Sequence, residues 1–586
     1  MTPNPTPRTW RFAPRNFSES RHLRRHLGLD RLVSRILANR GYTDLDEAYA
    51  FLNPTFSQLG DTDTMIDMDR AVRRTLEAFR DGDRIRVCGD DDVDGVTSTS
   101  CVYLFFKQLG IPADFCIPLR TEGGSGINMN VIRRAARDGV QLLITTDCGV
   151  TNVEEIALAR QLGMDVIVLD HHTMPEELPD AVAILNPMRP DNRYPFKRLA
   201  AVGVAFNFVR GLWKALCDYG LLSPSRIDLR EYLDIVALGT VADVVPLVSE
   251  NRVFVRLGLE ILRRRRRPGI SALLDRAHVD DQPITARTIG YRIAPLINAA
   301  GRMGDASRCV ELLTTNSYKR ADALSRELER DNWERQRTER EILEEAIGLA
   351  AAEFDAGRNL LMLSSHSWHQ GVLGIVASRV KERFHRPAAM VAANPETGMA
   401  RVSMRSIRGI DLIAALRTIE PLLESYGGHI AAAGMTLPID NLEQARSRLE
   451  AAISAQADPM PSPILQIDAE SRLADLNASF INDLEHLAPF GAGNPEPILL
   501  VRNVRARGKI INERHLRLRL REGEVAMNAI GFTLASRAEI LDRPLDVALT
   551  PRLTHPWQQQ RLELTVHDIR PYGANRDRAR TSGLAE

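Results

Sequence analysis

Four acids stand within five positions in the run GDDDVDG: Asp90, Asp91, Asp92 and Asp94, bracketed by Gly89 and Gly95. Carboxylates packed this closely repel one another unless a cation compensates them, and alternate positions in a tight turn can point the same way. Further on, TTDCG sets Asp147 before Cys148 and Gly149, and LDHH sets Asp170 before His171 and His172. Carboxylates mixed with imidazoles suit manganese, iron or zinc better than a calcium cage. An acidic surface loop, or a capped turn with two structural histidines, explains each run taken singly. Three such runs converging on one place point instead to a divalent-metal centre.

The elements that must position these side chains are legible around them. Each acid closes a strand-length apolar run: IRVC at 85–88, LLITT at 142–146 and DVIVL at 165–169. Helical patterns separate them, VIRRAARDG at 131–139 and NVEEIALARQLG at 152–163. This alternation predicts a parallel α/β sheet, in which ligands gather at the carboxyl ends of the strands. The organisation read from the chain is a helical N-terminal extension (1–60), an α/β lobe with the acids (61–255) and a helical connector (256–358). A second α/β lobe follows (359–456), then the proline-rich linker ADPMPSP (457–463), an OB-like β-barrel (464–571) and a disordered tail (572–586). Within the connector, Ser317 to about Phe354 reads as one long charged helix joining the lobes, its interrupted apolar stripe formed by Ala321, Leu324, Leu328, Ile342, Ala346 and Ala350.

Composition narrows the class. With 44% hydrophobic and 26% charged residues, the 586-residue chain can build several cores. No run of eighteen apolar residues predicts a membrane span, and the arginine-bearing start lacks the apolar stretch of a secretory signal, which leaves the cytoplasm as the expected location. Six scattered cysteines read as reduced thiols. Net charge is 0, from 76 basic and 76 acidic side chains, so affinity for a polyanion must come from segregated charge. The arginine-rich first forty residues and the block Arg263 to Arg267 are two such segregations; each either meets phosphates or is a solvated face.

The runs GDDDVDG, TTDCG, LDHH and LDIVALGTVADVVPL (233–247) resemble the four phosphoesterase motifs of the DHH superfamily, and the set from about residue 60 to 570 resembles the RecJ family of bacterial single-strand exonucleases. The resemblance implies a phosphodiesterase with two Mn2+ or Mg2+ ions per active site. It would hydrolyse single-stranded DNA from 5′ to 3′ into mononucleotides, in repair and recombination and beside single-strand-binding protein. Its implied metal ligands are Asp90, Asp92, Asp94, Asp147, Asp170, His171 and, in the fourth motif, Asp243 in preference to Asp234. Asp147 or Asp92 would bridge the metals, and His172 would orient a phosphate or a water.

HSWHQGVLGIVASR (366–379), SMRS (403–406) and GGHIAAAG (427–434) resemble a DHHA1 substrate-binding lobe. They nominate His369, Arg379, Ser403, Arg405, Ser406 and His429 as DNA contacts, with Trp368 as a core filler, and Arg120 joins this set. NAAGRMG and DNWERQ resemble connector motifs, in which Asn298 and Arg302 either reach the cleft or pack the lobes together. LAPFGAGNPEP (487–497) resembles the turn before the OB domain. Two departures stand out: Asp91 where the family has tyrosine, and EGGSG (122–126) where it often has EGYG. The first would place an extra acid beside the metals, and the second would remove an aromatic contact to a base. Competing readings are another DHH phosphoesterase acting on RNA, a small nucleotide or polyphosphate, and a non-catalytic single-strand-binding scaffold. The connector and barrel count against the former and the populated acid motifs against the latter.

Overall fold

The computed structural model describes residues 8–119, 126–279, 283–457, 459–554 and 561–574. Strand β1 (Thr9–Phe12) and helices α1 (Phe17–Leu27), α2 (Arg31–Asn39) and α3 (Leu45–Leu52) come first. Helix α4 (Met68–Asp81) then leads into the lobe that carries the acids. That lobe runs β2 (Ile85–Gly89), α5 (Val93–Leu109), β3 (Ala113–Cys116), α6 (Met129–Arg137), β4 (Leu142–Thr146), α7 (Val153–Gln161), β5 (Asp165–Leu169) and β6 (Ala183–Leu185). Helices α8 (Ala201–Asp218), α9 (Leu233–Ala242) and α10 (Ser249–Arg263) complete it.

Its five strands are parallel, in the order β3-β2-β4-β5-β6. Every residue of β2 and β4 is buried, as expected of parallel strands covered on both faces, which is why they read as unbroken apolar runs. Gly89 pairs with Thr146 and Thr146 with Leu169, so Asp90, Asp147 and Asp170 leave the sheet at one edge. From β2 the chain turns to β3 on one side and returns to β4 on the other. The crevice at such a reversal is where open α/β sheets hold ligands.

The connector comprises α11 (Pro268–Arg276), α12 (Ala286–Thr288), α13 (Ala294–Met303), α14 (Ser307–Thr314) and the 38-residue α15 (Tyr318–Asp355), capped by Ser317. At 1.5 Å per residue, α15 spans about 57 Å. Ala321, Leu324 and Leu328 pack into the connector's cluster, whereas Ile342, Ala346 and Ala350 pack against the second lobe. One helix anchored at both ends thus sets the spacing of the lobes.

The second lobe contains β7 (Leu361–Ser365), α16 (Leu373–Phe384), β8 (Ala388–Asn394), β9 (Met399–Arg405), α17 (Leu412–Arg417), β10 (Ser425–His429), β11 (Ala432–Pro438) and α18 (Leu442–Gln456). Its strand order is β10-β11-β9-β8-β7, with only β7 and β8 parallel. Trp368 is buried in this lobe's core and donates to Glu345 at 2.8 Å, the packing role expected of it.

The C-terminal part runs β12 (Ile464–Ile467), β13 (Ala469–Ser471), α19 (Ala478–Glu485), β14 (Leu499–Ile511), β15 (His515–Glu522), β16 (Val525–Gly531), β17 (Leu545–Thr554) and β18 (Arg561–Pro571). Strands β14-β15-β16-β18-β17 close through a β14–β17 pairing, giving an OB-type barrel. The first helices fold onto it: Leu23, Leu32, Ile36 and Phe51 share one apolar cluster with Leu499, Leu518 and Leu545, and β1 pairs with β12. Arg252 of α10 rivets this assembly to the first lobe. It is almost wholly buried, stacks 3.7 Å from the Phe51 ring, and donates to the carbonyls of Phe51, His486, Leu487 and Ala488. Burial pulls its pKa down to about 9, and the four carbonyls stand in for a counter-ion.

The arginine block between α10 and α11, read as a phosphate contact or a solvated face, has partners within the protein. Arg263 donates to the Ile284 carbonyl, and Arg265, Arg266 and Arg267 pair with Asp275, Glu231 and Asp234. Among the described residues, no helix is long and apolar enough to cross a membrane.

Candidate active site

Backbone conformation delivers the acids to the crevice. Asp92 caps α5 by accepting from the amides of Asp94 and Gly95, which turns the chain sharply after β2. Gly95 has to be glycine here, because a Cβ would lie 2.5 Å from the Asp90 carbonyl oxygen. Asp147 adopts a left-handed conformation, φ 61°, which swings its carboxylate off the end of β4 into the cluster.

Five side chains meet there. His171 Nε2 lies 3.3 Å from Asp147 Oδ1 and 3.9 Å from Asp94 Oδ2, and its Nδ1 lies 3.7 Å from Asp243 Oδ2. Asp147, His171 and His172, and likewise Asp94, His171 and Asp243, place ligand atoms within 4.8 Å of one another. Asp90 and Asp92 border the cluster and act on it electrostatically. Asp234, by contrast, is buried in an ion pair with Arg267 at 2.9 Å.

The electrostatics suit a cation. Burial, then repulsion from Asp94, Asp92, Asp90 and Asp243, holds the Asp147 carboxyl well above its ordinary pKa. Burial and the neighbouring acids also raise Asp94 to about 7 and Asp243 to about 9. Asp147 Oδ1 and Asp243 Oδ2 are buried without a hydrogen-bond partner. Burial, and the neighbouring His172, keep His171 neutral, with a pKa near 4. Its Nδ1 sits 3.1 Å from the Leu199 carbonyl, so that nitrogen carries the proton and Nε2 turns a lone pair toward the carboxylates. Orphaned carboxylate oxygens around a neutral imidazole are what a divalent ion requires of a site.

Asp170, named among the implied ligands, stands behind the two histidines. Its oxygens accept from the amides of Val150, His171 and His172 and from His172 Nδ1 at 2.7 Å. Against the opposing effect of burial, the His172 bond and charge draw its pKa down to about 2, and the Asp170 bond raises His172 to about 9. Asp170 therefore anchors the histidine pair and, in the metal-free protein, favours the imidazolium form of His172. Asp91, expected to crowd the metals, is buried against α13, where a Cβ on Gly301 would come 2.3 Å from its carbonyl oxygen and 3.1 Å from its Cβ.

The connector and second lobe close the other side. Asn298 accepts from the Val93 amide at 3.2 Å, so α13 braces the acidic turn, and Arg302 donates to the Gly371 carbonyl at 2.9 Å, tying α13 to the turn before α16. The His172 and His429 rings stack across the lobes, 6.1 Å between centroids and 5° from parallel. Arg405 and His429 both pair in register with Ala432, so one sheet end carries both. Arg405 hydrogen-bonds Met404 O and Ser403 Oγ, and its guanidinium lies over Gly374 at the start of α16. No carboxylate among the described residues neutralises it, and burial alone lowers its pKa.

Three further residues named as DNA contacts have partners within the protein. The buried Ser406 hydroxyl donates inward to Ile410 O, because it follows the outward series Arg401, Ser403, Arg405. Arg379 stands between Glu339 and Glu382. His369 Nδ1 accepts from the Gly371 amide and caps the turn before α16. Arg120, and residues 122–125 of EGGSG, lie outside the described residues.

One basic surface escaped the sequence reading. On the barrel, Arg505 pairs across strands with Arg521, Arg507 with Arg519, and Lys509 with Arg517, all six exposed. The alternation in LRLRL and VRARGK carried the signal. Like charges directly opposite each other are destabilising, so this ladder costs the barrel stability unless a counter-charge lies on it.

A two-lobed α/β fold with a carboxylate–imidazole cluster in its cleft defines a metal-dependent phosphoesterase of the DHH type. Family models agree in chain order: DHH family, N-terminal domain over residues 84–240, DHHA1 domain over 357–455 and RecJ OB domain over 467–568. The single-stranded-DNA-specific exonuclease RecJ of Salmonella typhimurium is 36% identical over 86% of this chain and 89% of its own. That of Bacillus subtilis is 35% identical over 89% of this chain and 65% of its own. The crystal structure of Thermus thermophilus RecJ with Mn2+ superimposes with a TM-score of 0.82 at 30% identity, covering 97% of this chain and 80% of that one. The chain belongs to the RecJ family.

Metal binding must release protons from the raised carboxyls. A carboxyl with a folded pKa above its unfolded value of 3.8 stabilises the protonated fold, so the metal-free protein should lose stability as pH climbs from about 4 through 7 and 9. Mn2+ affinity should rise over the same window. Calorimetric titrations in buffers of different ionisation enthalpy should show net proton release; a pH-independent affinity would exclude these acids as ligands.

Proposed function

We propose that this protein is a divalent-metal-dependent exonuclease that hydrolyses single-stranded DNA from its 5′ end to mononucleotides, using two Mn2+ or Mg2+ ions, in repair and recombination alongside single-strand-binding protein. One observation carries the reading: orphaned, mutually repelling carboxylates lie beside His172, whose ring stacks across the lobes on His429, at the sheet end that also carries Arg405, an arginine with no acidic partner among the described residues. Asp94, Asp147, His171 and Asp243 would hold the cations, with Asp90 and Asp92 completing the sets. Bound there, divalent ions supply Lewis acidity to the phosphodiester and lower the pKa of water.

The chain's own groups do the rest. Asp170 holds His172 protonated, so its imidazolium can donate to a phosphate oxygen at the cleft mouth. Arg405, Ser403 and the first amides of α16 suit a second phosphate. The His172–His429 stack narrows the passage, which favours one strand over a duplex. The arginine ladder accounts for hold on the strand farther out, through phosphates more than bases.

The test is manganese-dependent digestion of single-stranded DNA labelled at either end, with duplex and RNA controls. Mononucleotides released from an accessible 5′ end, and suppressed when that end is blocked, are the expected result. Binding without cleavage would move the chain to a scaffold, and preferred cleavage of RNA or a small nucleotide would move it elsewhere among DHH enzymes.

The ladder has its own signature. Replacing Arg507 and Arg519 with glutamine should flatten the salt dependence of binding to long strands by about 0.7 in log–log slope for each phosphate that the ladder no longer neutralises. Chemical denaturation should show the same variant unchanged or slightly more stable, by about 0.2–1 kcal/mol, because a like-charge pair is gone. A stability loss with an unchanged slope would make the ladder structural.

A further inference from the structure

A second basic site lies away from the cleft, between the N-terminal helices and the barrel. A cavity of about 270 Å³ is lined by Arg15, Arg31 and Arg35 on one side and by Ser471, Arg472 and Asp475 on the other. Its charges do not balance. Asp475 is shared by Arg31 at 3.0 Å and Arg472 at 3.3 Å, and the carboxylate of the adjoining Glu470 is drawn off to Arg502 at 3.0 Å. Arg15 has no acidic partner among the described residues. Arg35 reaches only the Glu470 carbonyl, at 3.4 Å, and stacks 4.7 Å from the Phe17 ring.

Two groups in the lining are left wanting. Arg35 Nε and Ser471 Oγ are both buried with no hydrogen-bond partner, and Ser471 is only 6% exposed. Arginines converging on orphaned donors, at net positive charge, make a seat for a compact anion with several acceptor oxygens. No apolar side chain among the described residues lines the cavity, so it offers nothing to the hydrophobic anchor of a peptide.

The cavity also continues the arginine ladder. The Leu473 amide donates to Glu522 at 2.6 Å, which ties the cavity's turn to the end of β15, beside the rung of Arg505 and Arg521. A strand lying on the ladder and carried past that rung arrives at the cavity. We propose that the cavity seats a backbone phosphate of the nucleic-acid strand, remote from the scissile end, so that the N-terminal segment forms part of the strand-binding track. This inference rests on the single-strand reading above.

The test compares the full-length protein with its Arg15→Glu and Arg35→Gln variants, without added metal, on single-stranded DNAs of about 6 and about 30 nucleotides across a salt series. For the long strand, each variant should bind about three- to tenfold more weakly, with a slope smaller by about 0.7, the share of one phosphate. Binding and manganese-dependent hydrolysis of the short strand should match wild type. Arg15 is exposed and has no acidic partner among the described residues, so its variant should keep the wild-type melting temperature and separate binding from folding. An unchanged slope on the long strand, or equal losses on both lengths, would overturn the cavity's role. So would an acidic peptide that binds wild type, fails with the variants and leaves the DNA slope untouched. If wild type binds and degrades single strands while the slopes coincide, only the cavity fails. If wild type neither binds nor degrades them, the exonuclease reading fails with it.

Discussion

Asp147→Asn should lower hydrolysis of single-stranded DNA by at least about three orders of magnitude, on the scale of losing one member of a tightly coupled catalytic group, while making the metal-free protein more stable. Asparagine is the informative replacement because Asp147 sits at φ 61°, a conformation that asparagine tolerates and alanine resists. Asp147 is 4% exposed, its Oδ1 has no partner, and its neighbours Asp94, Asp92, Asp90 and Asp243 oppose its ionisation. Each unit by which a carboxyl's folded pKa exceeds the unfolded one reduces stability by about 1.4 kcal/mol above the folded pKa. A neutral amide removes that penalty and supplies two donors to the surrounding carboxylates. Thermal denaturation in chelator should therefore place the variant above wild type near pH 8, and Mn2+ should reverse the order by stabilising only wild type. A variant that loses activity and stability together in chelator would make Asp147 a structural residue. Retained turnover would remove it from the metal site.

The sheet edge that collects these acids was legible because parallel strands buried on both faces leave continuous apolar runs. Asp90, Asp147 and Asp170 each mark where such a run meets the crevice. The long helix α15 was legible for a related reason, since the apolar positions that pack against each lobe recur at helical spacing on either side of a charged middle. What could not be read was how each polar group is satisfied. Asp170 belongs to the acid runs by sequence, yet its place behind His172 depends on the Val150 amide, twenty residues upstream. Asp91 reads as an extra acid beside the metals because it sits among three others; that α13, some two hundred residues later, packs on its backbone has no local signal. The block Arg263 to Arg267 reads as a phosphate contact or a solvated face; its pairing with Glu231, Asp234 and Asp275 has no signal in the block itself. The folding of α1–α3 onto the barrel joins segments more than four hundred residues apart, with no local signal. Ser406 is the exception, because the alternation through Arg401, Ser403 and Arg405 already assigns its side chain to the inner face.

Arg405→Ala should leave the metal cluster intact and weaken engagement of the strand, raising KM about 30- to 200-fold, as expected for about 2–3 kcal/mol of charge-assisted hydrogen bonding to one phosphate. The size follows from the residue's surroundings. Its only protein acceptors among the described residues are the neutral Met404 carbonyl and Ser403 hydroxyl, and the start of α16 beneath it adds its own positive end. A cation held with no counter-ion is disfavoured by burial, and an arriving phosphate relieves that. The free protein should accordingly tolerate the loss: Arg405→Ala should melt at or above the wild-type temperature. Arg405→Lys should recover only part of the affinity, since an ammonium lacks the planar fork that can meet two phosphate oxygens. The distinguishing readout is the split between parameters. If the arginine binds phosphate in ground and transition states alike, kcat at saturation stays within a few-fold of wild type while KM rises. A fall in kcat with KM unchanged would instead place Arg405 on charge that develops only during hydrolysis, moving it from strand placement into the chemistry at the metals.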